Sequence, residues 1–308
     1  MNVGYVCPTS DLGIGILLER ANSFARTNVL LFRMRGAVEE SGVLTFLHKK
    51  FDTDISEDDM LEMNEYVASN KESIIKARDL FFDDISKMVY DSVIEYRCKG
   101  NKKILKHSTN MYFPKDIFTL SDDEVFVDCG AFSGDTVFEF IRRTRGRFKA
   151  IHAFEPSQKH FNLLINNINK LKLHQGNITL LNEGVWSEPG LLSFFEQDLN
   201  LGSSHVSTDS NNAATESVSI KVNTLDAVFA DIKPTLIKMD IEGSELEALK
   251  GAKDILIKHK PKLAICMYHK CEDFVDIPIF LSEVVPEYKL HVRHHACGYL
   301  DTVLYASI

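Results

Sequence analysis

The sequence predicts an α/β protein, a parallel sheet with helices on both faces, preceded by a mainly helical region. Three observations predict it. From Glu124 onward, short apolar runs alternate with helical stretches, which is the pattern of strands joined by crossover helices. Before that point the apolar spacing is helical. The apolar runs also end in glycines and carboxylates, at the carboxyl ends of strands where such sheets bind ligands. The division falls at residue 118. Residues 1–118 read as an accessory cap or oligomerisation region, and residues 119–308 as the ligand-binding domain.

Leu17 to Phe24 reads as helical, and SEDDMLEMNEYV from Ser56 as a short helix with acids in its first turn. From Lys71 to Lys99, the residues Ile75, Phe82, Ile85, Val89, Val93 and Tyr96 recur on one face, predicting a single long amphipathic helix. GNKKILKHSTN is a connector. The strands then read VFVDCG, AIHAFEP, ITLLNEG, GLLSFFEQ, VSIKVN, TLIKMDIEG, KLAICMY, YKLHV and GYLDTVLYA. Between them lie helices at DTVFEFIRR, Gln158 to about Leu173, TLDAVFA, from Glu245, and near Phe274. The polar segment from Asn200 to Ser217 is long for a compact domain. Two readings of it stand: a lid bringing Ser203, Ser204 or His205 to a substrate, and plain disorder.

With 44% hydrophobic residues, a chain of 308 residues can build a sizeable core. A net charge of −9 argues against a nucleic-acid backbone as partner. There is neither an apolar run near the length of a membrane span nor a signal pattern at the start. The six cysteines form no CxxC pair, so reduced thiols in a cytoplasmic protein are expected.

The first strand ends in FVDCGAFSGDT, with Asp128, Gly130, Ser133 and Gly134 in the turn. Glycine lets backbone approach a ligand, and the following helix offers free N–H groups. A dinucleotide fingerprint would need a glycine where Phe132 stands. The second strand ends at Glu155, where nucleoside-binding folds place a carboxylate for the ribose hydroxyls. The third ends at Asn182 and Glu183, near Trp186, where an adenine edge could be read or a simple turn made.

The segments DCGAFSGDT, AFEP, NTLD and IKMDIEGSE, in this order, with YHK one strand after the last, resemble the FkbM family of S-adenosylmethionine-dependent methyltransferases. The resemblance covers roughly residues 120–306 and adds nothing for residues 1–118. It implies a class I methyltransferase, Rossmann-like sheet of seven strands with an antiparallel last hairpin. It also implies methyl transfer from S-adenosylmethionine, usually to a hydroxyl on a sugar or other secondary metabolite. The cofactor set is then Asp128, Gly130, Ser133, Gly134, Glu155, Asn182, Glu183 and Asp240.

In KMDIEGSELEALKG, Ser244 and Glu247 have capping-box spacing, Glu245 complements the helix start, and Gly251 suits the helix end. Asp240 and Glu242 remain at the strand end, on one side if the strand continues that far. Asp240 could hold the cofactor's ammonium or orient an acceptor hydroxyl. His269, just past the next strand, could take the hydroxyl's proton with Asp273 orienting its ring, and Lys270 could contact an anionic acceptor. The catalytic candidates are therefore Asp240, His269 and Glu242. A magnesium ion on Asp240 and Glu242 is a rival, with Asp273 the one candidate for a third carboxylate, so no metal is expected. His294, His295 and Cys297 lack a second ligand pair and read as a turn before the last strand.

The expected partner is a small-molecule or glycan acceptor, and self-association through the N-terminal helices is left open. Two other functional classes compete: a nicotinamide-dependent oxidoreductase, and a non-catalytic cofactor-binding scaffold.

Overall fold

The computed structural model describes residues 54–171, 177–195, 205–206 and 217–308. The helix expected at Leu17 to Phe24, Cys7, and the lid positions Ser203 and Ser204 lie outside them.

Among the described residues, three helices come first: α1 (Glu57–Ser69), α2 (Lys71–Asp79) and α3 (Asp84–Lys99). The single long helix expected from Lys71 to Lys99 is two. Phe81 forms a bridge with Leu290, which takes the chain out of helical conformation. Asp83 then caps α3, its Oδ1 accepting from the Ser86 N–H at 2.6 Å. The apolar spacing runs through the break, so periodicity alone could not show it. The capping box predicted for Ser244 and Glu247 is likewise absent there. It occurs at Ser56 and Asp59, opening α1.

The main sheet is built from β1 (Val125–Cys129), β2 (Ala150–Phe154), β3 (Ile178–Leu181), β8 (Leu236–Met239), β9 (Lys262–Cys266), β10 (Lys289–His294) and β11 (Thr302–Ser307). Their spatial order is β10-β11-β9-β8-β1-β2-β3. The first five in sequence pair in parallel, and β11 runs antiparallel between β9 and β10. This is the class I methyltransferase arrangement that the resemblance implied. Strand order reverses between β1 and β8, which opens a crevice at their carboxyl ends. Both strands are buried along their length, as central parallel strands are. The helices α4 (Asp135–Thr144), α5 (Gln158–Asn169), α6 (Leu225–Val228), α7 (Glu245–Lys250), α8 (Lys253–His259) and α9 (Asp273–Val284) connect them.

The strands read at GLLSFFEQ and VSIKVN do not join this sheet. With β4 (Gly184–Val185) and β6 (His205–Val206), β5 (Gly190–Phe195) and β7 (Ser217–Asn223) form a second sheet in the order β4-β7-β5-β6. Gly251 is required by close approach: a Cβ there would lie 2.1 Å from the Trp186 carbonyl oxygen.

The N-terminal helices share one apolar core with the main sheet, in which Phe81, Tyr90 and Tyr96 join Phe274, Leu290 and Val292. They also cover the free edge of β10. Phe82 N donates to Leu290 O, and Ser108 N to His294 O, so the open edge is paired locally. Arg97, nearly fully buried, donates to the carbonyl oxygens of Tyr268 and Tyr299 and stacks over Phe274. A helix remote in sequence therefore fixes the backbone just before His269. No described helix is long and apolar enough to cross a membrane, and the described cysteines are free thiols.

Asp83 also accepts from Arg293 at 3.1 Å and contacts His291 Nδ1 at 2.8 Å. Burial alone would raise its pKa, but the hydrogen bonds from Ser86 and Arg293 outweigh it and hold the carboxyl well below the usual range. Asp83→Ala is expected to lose about 1–3 kcal/mol in urea denaturation at neutral pH. A depressed pKa stabilises the fold above the ordinary carboxylate pKa, and that stability is lost as pH falls through the lowered value. The gap between wild type and variant should therefore close in acid.

Candidate active site

The β1 turn is built so that backbone can approach closely. The Gly130 and Ala131 N–H groups donate to Phe154 O at 3.0 and 2.9 Å, tying the turn to β2. Gly130 has φ +81°, and a Cβ there would lie 2.0 Å from the carbonyl oxygen of Asp240. Only glycine fits. Gly134, at φ +90°, opens α4 without a side-chain cap, so the first N–H groups of that helix stay available. The carbonyl of Ser133 accepts from Asn167 Nδ2 at 2.9 Å, fastening the turn to α5.

Asp128 is fully buried, and its carboxylate lies 3.0 Å from the Nζ of Lys238 on the neighbouring strand. Lys238 also donates to the Gly130 carbonyl at 2.8 Å and to Cys129 O. Burial opposes the lysine charge, but Asp128 and Asp240 outweigh it and push its pKa above the ordinary value. Asp128 thus lies under the glycine turn, bound to Lys238.

Glu155 follows β2 and is nearly buried. Its carboxylate accepts from the N–H groups of Phe132 at 2.8 Å and Ser157 at 3.0 Å. Burial pushes its pKa up to about 7, against the pull of those N–H groups. Asn182 Nδ2 donates to the carbonyls of Glu155 and Pro156. Glu183 pairs through Oε1 with Lys221 at 2.6 Å, while its buried Oε2 has no partner. The structure brings these strand-end residues to one side of the crevice.

Asp240 follows β8 on the other side. Its carboxylate accepts from Tyr112 Oη at 2.7 Å and Tyr268 Oη at 3.1 Å. Burial, then Asp240 itself, pushes both phenols well above the usual range, so they remain donors. The strand does not continue as the same-side argument for Asp240 and Glu242 required: it stops at Met239. A turn with Glu242 at φ +56° and Gly243 at φ +87° brings both carboxylates to His269 instead. Asp240 Oδ1 and Glu242 Oε2 each lie 3.5 Å from its Nε2.

Two expectations change here. Asp273 accepts from the Lys270 N–H, and it is Glu245 that stands against the His269 ring, 3.1 Å from Nδ1. Glu245 is fully buried and also accepts from the Ile241 N–H at 2.8 Å. Burial would lower the His269 pKa, but Glu245, Asp240 and Glu242 together push it up to about 10. At neutral pH the ring therefore carries its proton and offers no lone pair to a hydroxyl. Glu247, expected to cap α7, instead accepts from Ser187 Oγ and Lys250 Nζ. Lys270 Nζ donates to Gly243 O.

Lys238, Glu245, Tyr112 and Tyr268 belong to the site and were missed as site residues. Lys238 had a signal: a lysine inside the buried run LIKM needs a partner. Tyr112 had none, because it lies in a connector far from β8 in sequence, whereas Tyr268 stands beside His269 in the YHK segment already singled out.

Lys238→Met leaves the Asp128 charge buried and uncompensated, with an expected loss of about 3–5 kcal/mol in chemical denaturation. Adding Asp128→Leu should restore most of that stability. Cofactor affinity should stay low in the double variant, because the tie to Gly130 O is still missing.

A family profile described as "Methyltransferase FkbM domain" matches residues 128–300, more than half of the chain. The hexuronic acid methyltransferase AglP of Haloferax volcanii is 31% identical over 137 residues, which are 43% of this chain and 53% of that protein. A crystal structure of methyltransferase FkbM from Methylobacillus flagellatus KT superposes with a TM-score of 0.68 at 27% identity, covering 80% of this chain and 61% of the other. The chain thus spans about half the length of AglP and about three fifths of the crystallised chain. The profile match, the sheet order and the strand-end residues agree: the protein belongs to the FkbM family of S-adenosylmethionine-dependent methyltransferases.

Proposed function

We propose that the protein transfers the methyl group of S-adenosylmethionine to an oxygen of a sugar or glycan acceptor, with a hexuronic acid as the acceptor class. The observation that carries this reading is the contact of Gly130 with Asp240, where a Cβ would lie 2.0 Å from the Asp240 carbonyl oxygen. It sets the cofactor turn against the backbone of the residue whose carboxylate would receive a hydroxyl. The acceptor class is supported by AglP, whose name records a hexuronic acid substrate.

The residues fit the cofactor. Glu155 offers acceptor oxygens at the place for a ribose diol, the unpartnered Glu183 Oε2 offers another, and the uncapped start of α4 suits a carboxylate. Phe132, packed on His160 at 4.4 Å between ring centroids, fills the middle of the turn where a nicotinamide fingerprint needs glycine. Asp128 and Ser133 act by shaping the turn.

Bound S-adenosylmethionine supplies an electrophilic methyl on a sulfonium. The chain's own residues do the rest. Asp240, held by the Tyr112 and Tyr268 hydroxyls, aligns the acceptor oxygen and takes its proton, while Glu242 borders the open side. The protonated His269 holds the carboxylates in place. Alignment can contribute on the order of 7–11 kcal/mol, and a positioned base typically 10²–10⁴-fold.

Three outcomes are expected. Labelled methyl should pass to a hexuronic acid acceptor and not to the matching neutral hexose; transfer to the hexose alone contradicts the acceptor class. Asp240→Asn should lower kcat by about 10²–10⁴-fold with little change in S-adenosylhomocysteine affinity. Loss of that affinity with intact kcat would make Asp240 a cofactor residue instead. Because free Glu155 takes up a proton near pH 7 and the ribose diol needs its acceptor form, S-adenosylhomocysteine should bind more weakly as pH falls from 8 to 6, by up to about tenfold per unit below the pKa. Calorimetry on Glu155→Gln should show weaker binding without that slope.

A further inference from the structure

The carboxylates around His269 are arranged for more than proton transfer. Asp240, Glu245 and His269 each offer one donor atom, and these atoms all lie within 4.8 Å of one another. Bonds of about 2.0–2.2 Å from imidazole nitrogen and carboxylate oxygen to a common ion set neighbouring ligand atoms roughly 2.9–3.5 Å apart in tetrahedral or octahedral geometry. One ion takes one of the two ring nitrogens: Glu245 lies 3.1 Å from Nδ1, and Asp240 and Glu242 each lie 3.5 Å from Nε2.

They do not have the alignment of hydrogen bonds. The His269 side chain is nine-tenths buried, yet neither ring nitrogen has an aligned hydrogen-bond partner. The fully buried Glu245 has one oxygen, Oε2, with no donor. A histidine present only to neutralise acids would aim its N–H groups at their oxygens. Carboxylates gathered on a buried ring whose N–H groups are not aimed at them are what a cation replacing the ring proton would satisfy.

We propose that Asp240, Glu245 and His269 hold a divalent metal ion, with Glu242 at the open edge as a further oxygen ligand. One imidazole with two or three carboxylates suits Mn²⁺ or Zn²⁺ better than Mg²⁺ or Ca²⁺, which take oxygen ligands. Binding displaces the ring proton to solvent and offsets the carboxylate charge beside the crevice. An anionic acceptor could then approach a mouth that is otherwise acidic. The ion site rests on the geometry of the cluster and not on the acceptor assigned above. It departs from the expectation of no metal, because Glu245 was read from sequence as a helix-start residue.

The test is titration of chelator-treated protein with Mn²⁺, followed by the electron paramagnetic resonance signal of the free ion, with Zn²⁺ competition and a parallel Mg²⁺ titration. One Mn²⁺ per chain is expected, displaced by Zn²⁺ and not by comparable Mg²⁺. Affinity should fall at least about tenfold in both Glu245→Gln and Asp240→Asn. Far-ultraviolet circular dichroism checks the fold of each variant, and His269→Gln replaces any that does not fold. No stoichiometric Mn²⁺ on the wild type, or binding unchanged in the folded variants, overturns the proposal. S-adenosylhomocysteine binding in the same metal-free samples reports the methyltransferase reading separately.

Discussion

The ion pair between Asp128 on β1 and Lys238 on β8 spans the point where strand order reverses, and both side chains are buried. Two charges in a sheet interior carry a large desolvation cost, which their attraction offsets only in good geometry. Here the lysine also bonds the carbonyls of Cys129 and Gly130, so the pair ties together the two strand ends that line the crevice. The glycine turn, which binds the cofactor in the proposed function, cannot shift without disturbing Asp240, two residues beyond Lys238. Gly130 makes the same link through backbone, since any side chain there would collide with the Asp240 carbonyl.

The second half of the site depends on segments remote in sequence. Tyr112 comes from the connector before the sheet, and Tyr268 and His269 from the end of β9. Both tyrosine hydroxyls meet at the Asp240 carboxylate. Arg97 on α3 holds the Tyr268 carbonyl, and Asp83 holds α3 to β10 through Arg293. The N-terminal helices therefore fix the backbone from which His269 projects, through the core they share with the sheet.

What the sequence disclosed follows the range of the interactions. The alternation of apolar runs and helices, the glycine turn and Glu155 at the end of β2 are local patterns, and each was legible. The break at Phe81 was not, because it comes from a bridge to Leu290. GLLSFFEQ and VSIKVN read correctly as strands, but nothing local says that they pair with each other. The carboxylates of KMDIEGSE were visible, yet their division was misjudged. Glu245 and Glu247 look alike on a helix start, and only the packing sends one to His269 and the other to Ser187. A histidine ringed by acids differs from a lone one in charge state, which sequence order does not display.

Calorimetric titration of the metal-free protein with S-adenosylhomocysteine, beside NADH, bears most directly on the account. It predicts one nucleoside site per chain for S-adenosylhomocysteine and no heat from NADH. Binding of NADH, or no binding of S-adenosylhomocysteine to folded protein, would contradict it.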